Sequence, residues 1–182
     1  MKTIMKIGII RHFPVDIKQP EIGAMSSQSL KQWYSSFSNS DVKQLSVHTN
    51  ESDWDKCYAS DLKRAKLTAK AIFYGEIIYT DKLREMTPKI DFKQDIKLPF
   101  LVWMFFSKLS FLATHHFLSE SKSELKQRIR DFLDSILTEN RNVLLVSHAV
   151  VLKNLRIELK KRGFVGPYFS IPKHGKLYLY KK

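Results

Sequence analysis

A single cysteine, Cys57, stands among 182 residues, so the chain can form no internal disulfide and is not a small cross-linked secreted scaffold. A reducing, cytoplasmic setting fits that usage. Glycine is scarce as well. Its six positions (Gly8, Gly23, Gly75, Gly163, Gly166 and Gly175) never cluster into a phosphate-cradling loop, which removes the fingerprints of nucleoside-triphosphate and dinucleotide folds. No repeat, linker or low-complexity tract interrupts the chain. Acidic residues are the minority sign, 18 against 31 Lys and Arg, for a net charge of +13. That field attracts polyanions, anionic lipid or phosphorylated small molecules, and charge alone leaves nucleic acid and membrane surfaces open as partners. Long apolar runs are nearly absent. The N-terminal run after Lys6 is too short for a signal-peptide core. Residues 98–118 have about the length of a bilayer span but are interrupted by Pro99, Lys108, His115 and His116.

What remains is a balanced globular composition in a length that suits one domain, 1–182. Residues 4–10 form a short β-branched run that stops at Arg11-His12-Phe13-Pro14, as a buried first strand does. Residues 23–40 place Leu30, Trp33, Tyr34 and Phe37 at helical spacing. A strand at 56–59 is followed by Ser60-Asp61, whose side chains can cap a helix carrying Leu62, Ala65, Ala69, Ile72 and Phe73. Residues 77–79 read as another strand, with Leu83-Arg84-Glu85 in the loop beyond it. Residues 121–139 put Leu125, Ile129, Phe132, Leu133, Ile136 and Leu137 on one helical face. A buried strand at 143–146 ends at Ser147-His148, a helix at 150–162 is stopped by Gly163, and residues 176–182 alternate like an edge strand.

Strands alternating with helices predict an α/β three-layer sandwich with a largely parallel central sheet. Residues 86–118 are the variable segment, expected as a cap over the site. Within it Leu98, Leu101, Val102, Phe105, Leu109 and Leu112 recur as one buried helical face would, while Trp103, Phe106 and Phe111 spread beyond it. The surplus of aromatics suits either a homodimer contact through 98–118 or an apolar wall for the organic part of a ligand.

Three polar clusters follow predicted strands: Arg11-His12, Ser60-Asp61 with Arg64 one turn on, and Ser147-His148. In open α/β sheets ligands bind beyond the carboxyl ends of the strands, so these clusters can converge on one crevice. Two imidazoles and two guanidinium groups suit phosphoryl transfer, one neutral imidazole attacking phosphorus while the guanidinium forks hold the equatorial oxygens. Singly, each also fits a structural role, Arg11 and His12 at a strand end and His148 as a core histidine.

Taken together and in order, Ile9-Ile10-Arg11-His12, the run from Ala59-Ser60-Asp61-Leu62 through Arg64-Ala65 to Thr68-Ala69, Leu83-Arg84-Glu85, and Leu145-Val146-Ser147-His148 resemble the signatures of the histidine phosphatase superfamily, the phosphoglycerate-mutase-like fold. Glu120-Ser121 with Arg128, and the tail from Pro172 to Tyr180, are also similar to members. The resemblance implies that His12 is the nucleophile that becomes phosphohistidine, that Arg11, Arg64, Ser60 and His148 hold the phosphoryl group, and that Glu85 is the proton donor. It implies a small phosphorylated substrate and no metal or cofactor. Phosphatase is the favoured activity, with phosphoglycerate-mutase-like transfer or a weakened basic module for nucleic acid or lipid as alternatives. The chain departs from the family where glycines are usual: Phe13 follows the first histidine and Ala149 the second, and Phe13 is expected to narrow or reshape the pocket.

The other candidates read as structural. Cys57 and Arg64 are one residue too far apart for a cysteine-phosphatase loop, and Cys57 lies in a predicted strand as a buried thiol. Adjacent His115 and His116 would point apart from a helix and share no metal. His48 and His174 have no evident partner. Asp91 and Asp95, with Lys89, Lys93 and Lys97 around them, read as a solvated charged surface.

Overall fold

The computed structural model of the chain describes residues 4–20, 23–47, 49, 53–87, 95–103, 105 and 119–182. In chain order the elements are β1 (Lys6–Arg11), β2 (Ala24–Ser26), α1 (Ser27–Asn39), β3 (Lys56–Ser60), α2 (Lys63–Ile72), β4 (Ile77–Thr80), a 3-10 turn (Asp81–Leu83), β5 (Lys97–Pro99), α3 (Lys122–Leu137), β6 (Val143–Ser147), α4 (Ala149–Lys161) and β7 (Leu177–Lys181). Five strands make one sheet in the order β4-β3-β6-β1-β7. All neighbours in it are parallel except the edge pair β1 and β7. This is the predicted largely parallel α/β sheet, including its edge strand.

Two apolar clusters cover the sheet's faces. On one, Ile7, Ile9, Leu145 and Tyr178 pack under Ile129 and Leu133 of α3 and Leu152 and Leu155 of α4. On the other, Ile10, Cys57, Ala59, Leu144 and Val146 pack under Ala65, Ala69 and Ile72 of α2. The central strand β6 is therefore buried on both faces, which is why its sequence is continuously apolar instead of alternating. Truncating such a side chain, Leu145→Ala for instance, would cost about 2–5 kcal/mol.

Register sets where the polar clusters leave the sheet. Arg11 pairs with Ser147 and Ala59 with Val146, so β1, β3 and β6 end within a residue of one another. The polar residues that follow them leave the sheet side by side.

Several local expectations change. The helix expected from residue 23 starts at Ser27, because Ser26 caps it by accepting from the Ser29 amide and Ala24–Ser26 pairs with β5 instead. Asp95 is a second reason: it accepts from the Ser27 hydroxyl and the Gln28 amide, so it serves the start of α1 in addition to being a surface charge. Leu98 belongs to β5, not to a helix, since Pro99 holds the residue before it extended; helical residues begin at Phe100. The expected buried face also fails in its described part. Leu101 and Phe105 are 69% and 61% exposed, while Trp103 is buried with its indole N–H donated to the Met25 carbonyl at 2.9 Å. His48, Asp91, Phe106, Leu109, Phe111, Leu112, His115 and His116 lie outside the described residues. Among the described residues no helix is long and apolar enough to cross a membrane.

Candidate active site

At the end of β1, the His12 amide donates to the Ser147 carbonyl, extending the parallel pairing one residue past the strand. The His12 ring lies 5.0 Å from that of His148, centroid to centroid. Its Nδ1 is 2.6 Å from the Phe13 carbonyl oxygen, which can only accept, so Nδ1 carries the proton and Nε2 keeps its lone pair. Burial, with Arg64 next in effect, holds the pKa of His12 well below the usual imidazole value. The ring is thus neutral near pH 7 and has one free basic nitrogen.

His148 is wholly buried, and burial and Arg64 likewise hold it neutral. Its Nε2 is 2.9 Å from the Ser60 hydroxyl, which also accepts from the Leu62 amide. Ser60 therefore does not cap α2 as expected, and Asp61 does not either: its carboxylate takes both ends of the Arg84 guanidinium. Arg64 is buried from the first turn of α2, its guanidinium 5.2 Å from the Phe37 ring. Arg11 donates from Nη1 to the Pro172 carbonyl at 3.1 Å. Among the described residues, Nε of Arg11, Nε of Arg64 and Nδ1 of His148 are buried without a hydrogen-bond partner. Buried polar atoms are rarely left so, and the two guanidinium donors call for an anionic acceptor.

Glu85 follows the 3-10 turn. Its carboxylate accepts from the Val150 amide at 3.2 Å and from the Met86 amide at 3.3 Å. Burial raises its pKa above the usual carboxyl range against the pull of those amides and of Arg64 and Arg11. Its loop is anchored twice. Ser147 donates its hydroxyl to the Leu83 carbonyl at 2.7 Å, and Arg128, paired with Glu120, donates to the carbonyls of Lys82 and Arg84. The strand-end Ser147 thus serves the loop, while His148 faces the crevice.

Two neighbours of the site had no sequence signal of their own. His174 donates Nδ1–H to the His12 carbonyl at 2.6 Å and sets its ring 5.1 Å from the His12 ring, so it has a partner after all. It is placed by Gly175, which has φ +66° and donates its amide to the Arg11 carbonyl; a Cβ there would meet Leu45 at 3.0 Å and Phe13 at 3.2 Å. Tyr34, on the face of α1 read only as amphipathic, lies within electrostatic reach of both Arg64 and Glu85.

The two departures from glycine are accommodated. Phe13 is fully buried in the cluster under α2, and its amide donates to Thr68 Oγ1 at 2.8 Å, so it packs into the core in place of narrowing the crevice. Neither residue 13 nor Ala149 is among the described positions with positive φ, so neither needs a glycine's freedom. Cys57 is a buried thiol, pushed up to about 12 by burial. Among the described residues no group of three or more His, Cys, Asp or Glu is placed to hold a metal ion.

The family model of the histidine phosphatase superfamily (branch 1) matches residues 38–167. The chain belongs to this superfamily. The match begins after Arg11-His12, so membership rests on the middle and later motifs and the geometry adds the first. No curated protein sequence matches the chain. Solved structures of the same fold do. One is a provisionally assigned α-ribazole-5′-P phosphatase from Escherichia coli, with a TM-score of 0.54 at 16% identity, over 96% of this chain and 89% of that one. Another is Bacillus stearothermophilus YhfR, with a TM-score of 0.54 at 18% identity over 96% and 90%. A third is the mycobacterial glucosyl-3-phosphoglycerate phosphatase, with a TM-score of 0.51 at 17% identity over 87% and 80%. At these identities the likeness is one of fold.

Proposed function

We propose that the chain is a phosphatase that hydrolyses a small phosphomonoester through a phosphohistidine at His12. The observation that carries this reading is a neutral His12 with its Nε2 lone pair free, beside two guanidinium groups, of Arg11 and Arg64, whose buried Nε atoms have no partner among the described residues. Nε2 attacks phosphorus and the ester P–O bond breaks. Glu85, its pKa raised by burial, gives its proton to the leaving oxygen. As a carboxylate it then takes a proton from water, whose oxygen attacks phosphorus, and the P–N bond breaks to release phosphate and neutral His12. Arg11, Arg64 and His148 hold the equatorial oxygens, with preorganised charge where charge develops. Ser60 acts by orienting His148. No step calls on a metal ion. Superfamily membership and the phosphatase names of the E. coli and mycobacterial neighbours support the same activity.

Assay of the wild type and His12→Ala against a panel of phosphomonoesters, with and without chelator, tests it. Turnover that survives chelator and disappears in the variant is expected. Chelator-sensitive turnover, or equal turnover in both proteins, would overturn it.

A further inference from the structure

Residues 172–175, the turn that leads into β7, touch the end of β1 at three points. The Pro172 carbonyl accepts from Arg11 Nη1 at 3.1 Å, the Gly175 amide donates to the Arg11 carbonyl at 3.0 Å, and His174 donates Nδ1–H to the His12 carbonyl at 2.6 Å. The third bond comes from a side chain and falls on the residue proposed as nucleophile. It is also one of two bonds to a single peptide group, because the carbonyl of His12 and the amide of Phe13 share one rigid plane. The amide end donates to Thr68 Oγ1 at 2.8 Å, where Thr68 accepts while its own hydroxyl proton goes to the Arg64 carbonyl at 2.7 Å.

We propose that His174 is a positioning residue for the nucleophile: by holding the peptide group between His12 and Phe13, it keeps the Phe13 carbonyl where that carbonyl fixes the His12 ring in its Nδ1–H form. For its effect on rate the inference rests on the phosphatase reading above. A plane held at both ends resists rotation, and the Phe13 side chain beyond it is wholly buried in the cluster under α2. The next carbonyl along the chain, that of Phe13, is thereby fixed as well. This is the oxygen that lies 2.6 Å from His12 Nδ1. The bond made at one imidazole nitrogen decides the state of the other, so this short chain of contacts runs from the tail turn to the Nε2 lone pair. The rings add to it: His12 has His148 at 5.0 Å and His174 at 5.1 Å, the latter edge-on at 66°. Without the His174 N–H, the peptide plane can turn and carry the Phe13 carbonyl away from Nδ1. The Nε2–H form, which has no lone pair at Nε2 to attack phosphorus, then becomes populated.

The test compares His174→Phe, which keeps a ring and removes the N–H, with His174→Asn, whose side-chain amide offers an N–H at about the reach of Nδ1. Three quantities are measured: kcat and KM on the fastest ester of the panel above, the affinity for inorganic phosphate, and the His12 tautomer from nitrogen NMR of ring-labelled histidine, its signals assigned by their loss in His12→Ala. In His174→Phe we expect kcat to fall about tenfold or more and the Nε2–H form of His12 to appear, while phosphate affinity stays within about twofold. His174→Asn should restore the wild-type tautomer and bring kcat to within about threefold of the wild type. Thr68→Val, which releases the other end of the same peptide plane, should shift the tautomer in the same sense, so the result does not depend on one variant folding well. A wild-type kcat or an unchanged tautomer in folded His174→Phe would overturn the positioning role and leave the phosphatase reading standing. Equal losses in the Phe and Asn variants would do the same, since packing alone would then account for them. Absence of turnover by the wild type on every ester would overturn the phosphatase reading, and the positioning role with it.

Discussion

Helices α2 and α3 begin alike in sequence and differently in structure. Before α3, Ser121 accepts from the Glu124 amide and Glu124 reaches back to the Ser121 amide, a complete capping box. Before α2, Ser60 and Asp61 offer caps of the same kind, yet Leu62 stands at the cap position and the helix has no side-chain cap. Ser60 is turned to His148 and Asp61 to Arg84. The same residue types do local work in one place and serve the site in the other. A helix start that forgoes its available caps marks where side chains have been diverted to tertiary partners, since a cap contributes about 1 kcal/mol.

Substitutions at the two helix starts and at the site between them should therefore separate activity from stability. His12→Ala should have the largest effect, lowering kcat by more than about a thousandfold with the protein still folded, because in the proposed mechanism His12 is the nucleophile. Glu85→Gln should come next, lowering kcat roughly a hundredfold or more and most for esters of poor leaving groups, which steady-state rates across alcohols of graded pKa would reveal. Ser60→Ala should lower kcat/KM about tenfold, with a stability loss of about 1–3 kcal/mol from the buried groups it leaves unpartnered, measured by kinetics and denaturant titration on the same preparation. Ser121→Ala should cost about 1 kcal/mol of stability and leave kcat/KM unchanged. If Ser121→Ala lowered activity as Ser60→Ala does, the contrast between the two helix starts would break.

A pH series sharpens the same contrast. His12 and His148 have folded pKa values below their unfolded value near 6.5. Above that value neither state binds the proton. As pH falls below it the unfolded chain takes up protons that the folded one refuses, so stability is lost from about pH 6.5 down toward the depressed folded pKa values. Inorganic phosphate, bound where the cations gather, should restore part of the loss, visible as a rise in Tm that grows with phosphate concentration. Activity should fall at low pH as His12 protonates and at higher pH as Glu85 ionises, its raised pKa moving that limb toward neutrality.

Most of this site was legible because parallel strands end at one edge. Once 4–10, 56–59 and 143–146 read as strands, Arg11-His12, Ser60 and Ser147-His148 had to emerge together, and the register of Arg11 with Ser147 bears this out. His174 was not legible, since its contact with His12 depends on an antiparallel tail strand and on the positive φ of Gly175, both long-range facts. Nor was the fate of Ser60 and Asp61, because local pattern rates them as caps and only tertiary partners divert them. Residues 97–103 misled for a related reason. The spacing of Leu98, Leu101, Val102 and Phe105 is helical, but Pro99 and the pairing with β2 take Leu98 into a strand, and the helix that follows buries Trp103 while exposing Leu101 and Phe105.

The most direct test of the chemistry is a rapid acid-free quench of the wild type during turnover of a phosphorus-labelled ester, followed by peptide mapping. The label should appear transiently on the peptide containing His12, resist alkali, be lost in acid, and be absent from His12→Ala. Turnover by the wild type with no labelled protein at any time, or a label mapped to another residue and retained in His12→Ala, would contradict it.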